Sequence, residues 1–169
     1  AQVDRVNRRD VLSVGKETVV LTEREYSPWI RLEFRPGLGL KLRGIVRFYV
    51  TSLEPEFGLY VTPIQIDPEK PALPISHPFV YSTYLARRNG PFATLGLAED
   101  TWALNERVLD EEGFLKQAWS HYEEREKQLF TALSTTRAGS IAVVFDTTDR
   151  VQHMFYRYLE PDHPANAGK

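Results

Sequence analysis

The chain has 169 residues, 42% of them hydrophobic and 26% charged, with a formal net charge of −2 and no cysteine. That balance fits one folded domain or two small ones, and it excludes an intrinsically disordered chain, a disulfide scaffold and a thiolate metal centre. With near-neutral charge and no run of like charges, it also excludes binding to nucleic acid or anionic membrane by electrostatics alone. No apolar run approaches the roughly 20 residues needed for a membrane segment. The stretch Ala1 to Arg5 carries no apolar leader core, so the pattern favours a soluble, cytoplasmic protein.

From about Lys16 to Ile66 the pattern is that of strands. Glu17–Leu21 is short and β-branched, and Trp29–Phe34 sets Ile30, Leu32 and Phe34 on one face against Arg31 and Glu33 on the other. From Leu38 to Val50 every even position is apolar or glycine, a period of two that predicts a single long strand. Phe57–Ile66 is the next strand, with Pro63 as its kink or edge. Short connections such as Arg35-Pro36-Gly37 predict an antiparallel meander with one wet face. On that face Arg31, Arg43 and Arg47 either meet a phosphate or are simply solvated.

Pro68, Pro71, Pro74 and Pro78 then punctuate a passage from Asp67 to Pro78. Proline lacks the backbone donor that helices and central strands need, so this is a strap, expected to pack through Leu73 and Ile75. The remainder reads as helical. Pro78–Asn89 stops at Asn89-Gly90, Asp100 caps a short helix or turn, and Glu111 to about Arg137 has apolar residues at three- and four-residue steps. His121 on that helix reads as a surface residue. Ser140–Phe145 is a continuous apolar run, as expected of a strand buried on both faces, and a helix follows from about Thr148 to Leu159. The expected fold class is therefore α+β. A β-rich unit over residues 1–77 precedes a segment over 78–169 made of helices and a short helix–strand–helix (α/β) piece.

The chemistry concentrates after the predicted strand, in Phe145-Asp146-Thr147-Thr148-Asp149-Arg150-Val151-Gln152-His153. Asp149 and His153 are four residues apart, so a helix presents both on one face. Carboxylate oxygen and imidazole nitrogen together suit zinc or a similar first-row metal better than calcium or magnesium. The structural alternative is that Asp146 is the N-cap, Asp149 serves the first turn and His153 is a partly buried polar residue. Spacing alone leaves both readings open.

The same residues, followed by Pro161-Asp162-His163-Pro164, resemble the alkaline phosphatase superfamily, in its type I phosphodiesterase/nucleotide pyrophosphatase branch. Leu59–Ile64, Pro74–Pro78, Gly96–Thr101 and the Glu123–Glu126 helix resemble segments of that branch as well, so the likeness covers most of the chain. The resemblance implies a hydrolase in which two metal ions, zinc or manganese, activate a Thr or Ser nucleophile against a phosphoester. It makes Asp149 and His153 two ligands of one metal. Pro161-Asp162-His163 lies too close behind Asp149 to match the family's late Asp-His pair and reads instead as a loop at the active-site rim, with His163 toward substrate. The nucleophile and the remaining ligands have no counterpart in these residues. The chain is thus expected to be an internal piece of a larger phosphodiesterase, inactive in isolation, with the β-rich unit as a substrate-shaping insertion within an incomplete alkaline-phosphatase-like core. Its expected partners are a small phosphoester substrate and the remainder of the parent chain, with no nucleic acid and no membrane segment. Self-association through the uncovered strand Ile141–Phe145 is expected of the isolated piece. A non-catalytic β-rich binding or assembly module is the alternative function.

Overall fold

Phe48, Tyr49 and Val50 are consecutive and all buried. Successive strand residues point to opposite faces, so this strand must be covered on both sides. Around it, residues 2–4, 9–14, 17–37 and 39–166 are described by a computed structural model. Lys16 and Leu38, which begin two of the strand-like stretches above, lie outside the described residues.

Three antiparallel sheets form the first part. Strands β1 (Gln2–Asp4), β2 (Arg9–Val14) and β3 (Glu17–Thr22) make a meander, with Leu12 opposite Val19. Strand β4 (Ile30–Gly37) pairs with β5 (Leu40–Val46), which also pairs with β8 (Gln65–Ile66). Strands β6 (Phe48–Ser52) and β7 (Gly58–Val61) form a two-stranded hairpin. Bridges from Glu23 to Val50 and from Tyr26 to Tyr49 tie the exit of β3 to β6.

The alternation from Leu38 to Val50 predicted one strand, whereas the structure has two, separated at Arg47. The Arg47 amide donates to Thr62 Oγ1 (2.9 Å), and the Thr62 amide donates to the Arg47 carbonyl (3.0 Å). With both backbone groups of Arg47 satisfied locally, the chain passes from one sheet to another without leaving an orphan.

Phe48 and Val50 join Val19, Leu21, Ile30 and Val46 in a core between the sheets. Tyr49, on the other face of β6, enters a second core with Tyr60 of β7 and with Ala103, Leu109 and Phe114 from the helical part. The β-rich and helical parts of the chain therefore meet in a shared core.

The helices are α1 (Tyr81–Asn89), α2 (Thr101–Asn105), α3 (Glu111–Thr135) and α4 (Thr147–Phe155), the last followed by a 3₁₀ turn over Tyr156–Leu159. Gly90 ends α1 at φ 91°, a conformation open to a residue without Cβ, and its amide donates to the Ala86 carbonyl. Asp110 starts α3 by accepting from the Gly113 amide at 2.8 Å, with Glu111 and Glu112 in the first turn favourable to the helix dipole. Between β8 and α1 the strap carries neither helix nor strand, as its prolines require; Leu73 is exposed rather than packed, and Ile75 is half-buried.

Gly113 marks where α3 lands on β6. A Cβ at this position would stand 2.6 Å from Leu109 Cδ1 and 3.0 Å from the Tyr49 ring, which is itself buried. Alanine normally favours a helix over glycine, but here the overpacking wins. Gly113→Ala is expected to lower stability by about 1–2 kcal/mol in denaturant titration.

The structure is α+β with antiparallel sheets, and it corrects the helix–strand–helix expectation. Ser140–Phe145 belongs to no strand. Ile141, Val143 and Phe145 are half-buried while Ala142 and Val144 are exposed, and the Phe145 ring lies 5.4 Å from that of Tyr122 on α3. Among the described residues no strand lies beside this run, so it has no ladder to join and rests along α3 instead. No helix among the described residues is long and apolar enough to cross a membrane.

Candidate functional site

Helix α4 forms because Thr147, Val151, Met154 and Phe155 give it one apolar side while Asp149, Gln152 and His153 occupy the exposed side. Met154 and Phe155 pack on the second core, and Phe155 meets Phe114 with ring centroids 5.8 Å apart. Thr147 is buried and donates its hydroxyl to the Glu99 carboxylate at 3.0 Å, pinning the start of α4 to the loop before α2.

This packing directs Asp149 and His153 outward together. His153 Nε2 lies 3.3 Å from Asp149 Oδ1, with the two side chains 73% and 59% exposed. Their stabilising role is small. An exposed pair at this spacing contributes about 0.3–0.5 kcal/mol, with a little more from having the acid in the first turn and the imidazole in the last. The donor set also suits a metal. Two ligands of a tetrahedral zinc with bonds of about 2.0–2.1 Å stand about 3.3–3.4 Å apart, and a direct His–Asp pair has the same separation, so the 3.3 Å contact fits either role. Among the described residues no group of three or more His, Asp or Glu side chains is placed to hold a metal.

Other residues singled out in the sequence fall differently. Asp146 occupies the N-cap position of α4 but makes no side-chain cap bond; its carboxylate faces the Arg125 guanidinium at 3.6 Å, and its carbonyl accepts from the Arg150 amide. His163 lies in the turn beyond the 3₁₀ segment, half-buried, with its amide donating to the Glu160 carbonyl at 3.0 Å. Asp100 does cap α2: its Oδ1 accepts from the Ala103 amide at 2.9 Å and its Oδ2 from the Tyr60 hydroxyl at 2.8 Å. Burial, reinforced by Asp100, holds that hydroxyl well above its ordinary pKa despite an opposing bond from Gln117. Arg31 and Arg43 are engaged with Asp67, Glu69 and Glu33 on the wet face of the sheet.

Sequence reasoning missed a buried charge cluster. His121, expected at the surface, is 8% exposed, and its Nδ1 lies 3.6 Å from Glu124 Oε2. Glu124 is 11% exposed and accepts from Trp29 Nε1 and from the Ala93 amide, both at 2.8 Å. Arg47, 18% exposed, points its Nη2 at Glu124 (3.5 Å), donates from Nη1 to Ser120 Oγ, and stacks over Trp29 at 4.7 Å. Burial alone would push the Glu124 carboxyl up, but His121, the Ala93 amide and Arg47 together hold it below the ordinary carboxylate value. A readable signal existed: Phe114, Gln117, Ala118, His121 and Glu124 recur at helical spacing on the inward face of α3.

Two cavities flank α4. A groove of about 1060 Å3 runs between α3 and α4, lined by Leu115, Trp119, Tyr122, Thr148, Val151 and Gln152. A smaller one of about 360 Å3 lies against Arg150 and the loop before α2. No protein-family model, curated protein or solved structure matches the chain.

Proposed function

We propose that this chain is part of a metal-dependent phosphoester hydrolase of the phosphodiesterase/nucleotide pyrophosphatase type that it resembles. It supplies two ligands of one zinc or manganese ion and a β-rich insertion beside the substrate. The observation that carries this reading is the pair Asp149 and His153, which a packed helix aims outward together at the separation of adjacent metal ligands. A bound divalent ion would supply Lewis-acid stabilisation of charge on the phosphoester oxygens. Two protein ligands are one short of the three typical of a catalytic zinc site, so the reading requires a further ligand and a nucleophile from outside these residues. On that basis the 169 residues alone bind metal weakly and hydrolyse nothing.

Metal removal tests the reading in the parent protein. Turnover of bis(4-nitrophenyl) phosphate is expected to vanish on treatment with a chelator and to return with zinc or manganese. Undiminished turnover in the metal-free protein would overturn it.

The groove between α3 and α4 favours a second reading, a binding or assembly module, because it leaves Trp119 and Leu115 exposed. That reading predicts association without hydrolysis, in the parent protein as in the isolated chain.

A further inference from the structure

The smaller cavity lies between Pro63, Leu95, Leu97, Glu99, Trp102 and Arg150, and two of these carry charge that the fold leaves incompletely satisfied. Glu99 is 4% exposed, and among the described residues its carboxylate accepts one hydrogen bond, from Thr147. A carboxylate has acceptor sites for about four hydrogen bonds, so a buried one held by a single neutral hydroxyl has unused capacity. Arg150 stands one turn after Thr147 on α4. Its Nε is buried without a partner, and its guanidinium makes no ion pair with a described carboxylate.

The walls around them are fixed. Gln65 Oε1 accepts from both the Thr94 and Leu95 amides, at 2.9 and 2.8 Å, and Thr94 Oγ1 donates to the Ile66 carbonyl. Asp100, which also lines the cavity, accepts from the Ala103 amide and the Tyr60 hydroxyl and forms no ion pair with Arg150 among the described residues. Leu97 is held at φ 57°, a left-handed conformation that costs a branched residue energy and recurs where a fold clamps a ligand. Leu97 and Trp102 are exposed at the cavity, and Pro63 and Leu95 complete its apolar lining.

We propose that this cavity binds a small zwitterion of the α-amino acid class. The Nη groups of a guanidinium that forms no ion pair among the described residues match a carboxylate. The underused Glu99 carboxylate matches an ammonium group. An aliphatic side chain then covers Pro63, Leu95 and Leu97, and about 360 Å3 is room for a molecule of that size. Inorganic phosphate is a poorer match, because its second negative charge would face Glu99. The site stands independently of the hydrolase reading, since neither Asp149 nor His153 takes part in it.

Titration with L-leucine, followed through the Gly96 amide and the Trp102 indole by NMR, tests the proposal on the 169-residue chain. Saturable shifts at both probes are expected. Leucinamide, which lacks the carboxylate, and 4-methylpentanoate, which lacks the ammonium, should each bind at least tenfold more weakly. Arg150→Gln and Glu99→Gln should weaken L-leucine by a similar factor. Arg150→Lys, which keeps charge but loses the fork, should weaken it while leaving the rest of the spectrum unchanged. Absence of saturable shifts, equal binding by Arg150→Lys, or shifts produced by inorganic phosphate and not by L-leucine would each overturn it.

Discussion

Glu124→Ala is expected to destabilise the protein by about 3–5 kcal/mol, the cost of removing one partner from a buried ion pair. Arg47 would be left with its charge in the interior, and Trp29 Nε1 and the Ala93 amide would lose their acceptor. These groups come from the approach to β4, the β5–β6 break, the loop after α1 and α3 itself, so the loss affects the junction between the sheets and the helices. For a chain of this size it corresponds to a fall in melting temperature of roughly 10 °C, readable by calorimetry or circular dichroism. Replacing both charges by apolar residues, as in Arg47→Met with Glu124→Leu, should recover part of that loss because no unpaired charge remains buried, while Trp29 Nε1 and the Ala93 amide stay without their acceptor. A single-variant effect below about 1 kcal/mol would mean that water reaches the cluster and satisfies it.

The same carboxylate sets an acid limb. Its folded pKa lies below the ordinary value of 4.5, so the folded state holds the proton less tightly than the unfolded state. The stability it contributes is therefore complete above about pH 4.5 and is lost as pH falls from there through the lowered value. Glu124→Gln should flatten that part of the stability curve and leave the neutral region with a constant deficit. An unchanged acid limb in this variant would show that other carboxylates govern it.

The second large effect belongs to α4. On the proposed hydrolase reading, Asp149→Asn and His153→Ala in the longer protein are each expected to lower phosphodiester turnover at least about a hundredfold, since even partners standing behind metal ligands cost about 10–100-fold. The folded state should hardly notice. Both side chains are exposed, and their mutual attraction contributes only about 0.3–0.5 kcal/mol. A large loss of turnover without a shift in melting temperature is thus the signature of ligation. A parallel loss of both would indicate that the pair merely supports the helix.

Much of this arrangement is legible in the sequence because it rests on local rules. Alternation marks β4 and β5, prolines mark the strap, and three- and four-residue recurrence marks α3. The i, i+4 relation alone places Asp149 and His153 on one face of a helix. What escapes the sequence depends on neighbours. A continuous apolar run such as Ile141–Phe145 reads the same whether it is buried in a sheet or laid along a helix. Arg47 looks solvated beside Lys41 and Arg43, yet it falls at the break between β5 and β6, flanked by Ile45 and Tyr49, which are among the most deeply buried side chains. His121 looks isolated until Glu124, three residues on, is recognised as turned inward with it. Asp146 has the right residue type and place for a cap, but Arg125 from another helix draws its carboxylate away.

Anomalous scattering from crystals of the zinc-loaded parent protein, recorded at the zinc edge, addresses the metal assignment most directly. The account predicts a peak within coordination distance of both Asp149 and His153, absent when both are replaced. Zinc bound elsewhere in an active enzyme, with Asp149 and His153 left paired only to each other, would contradict it.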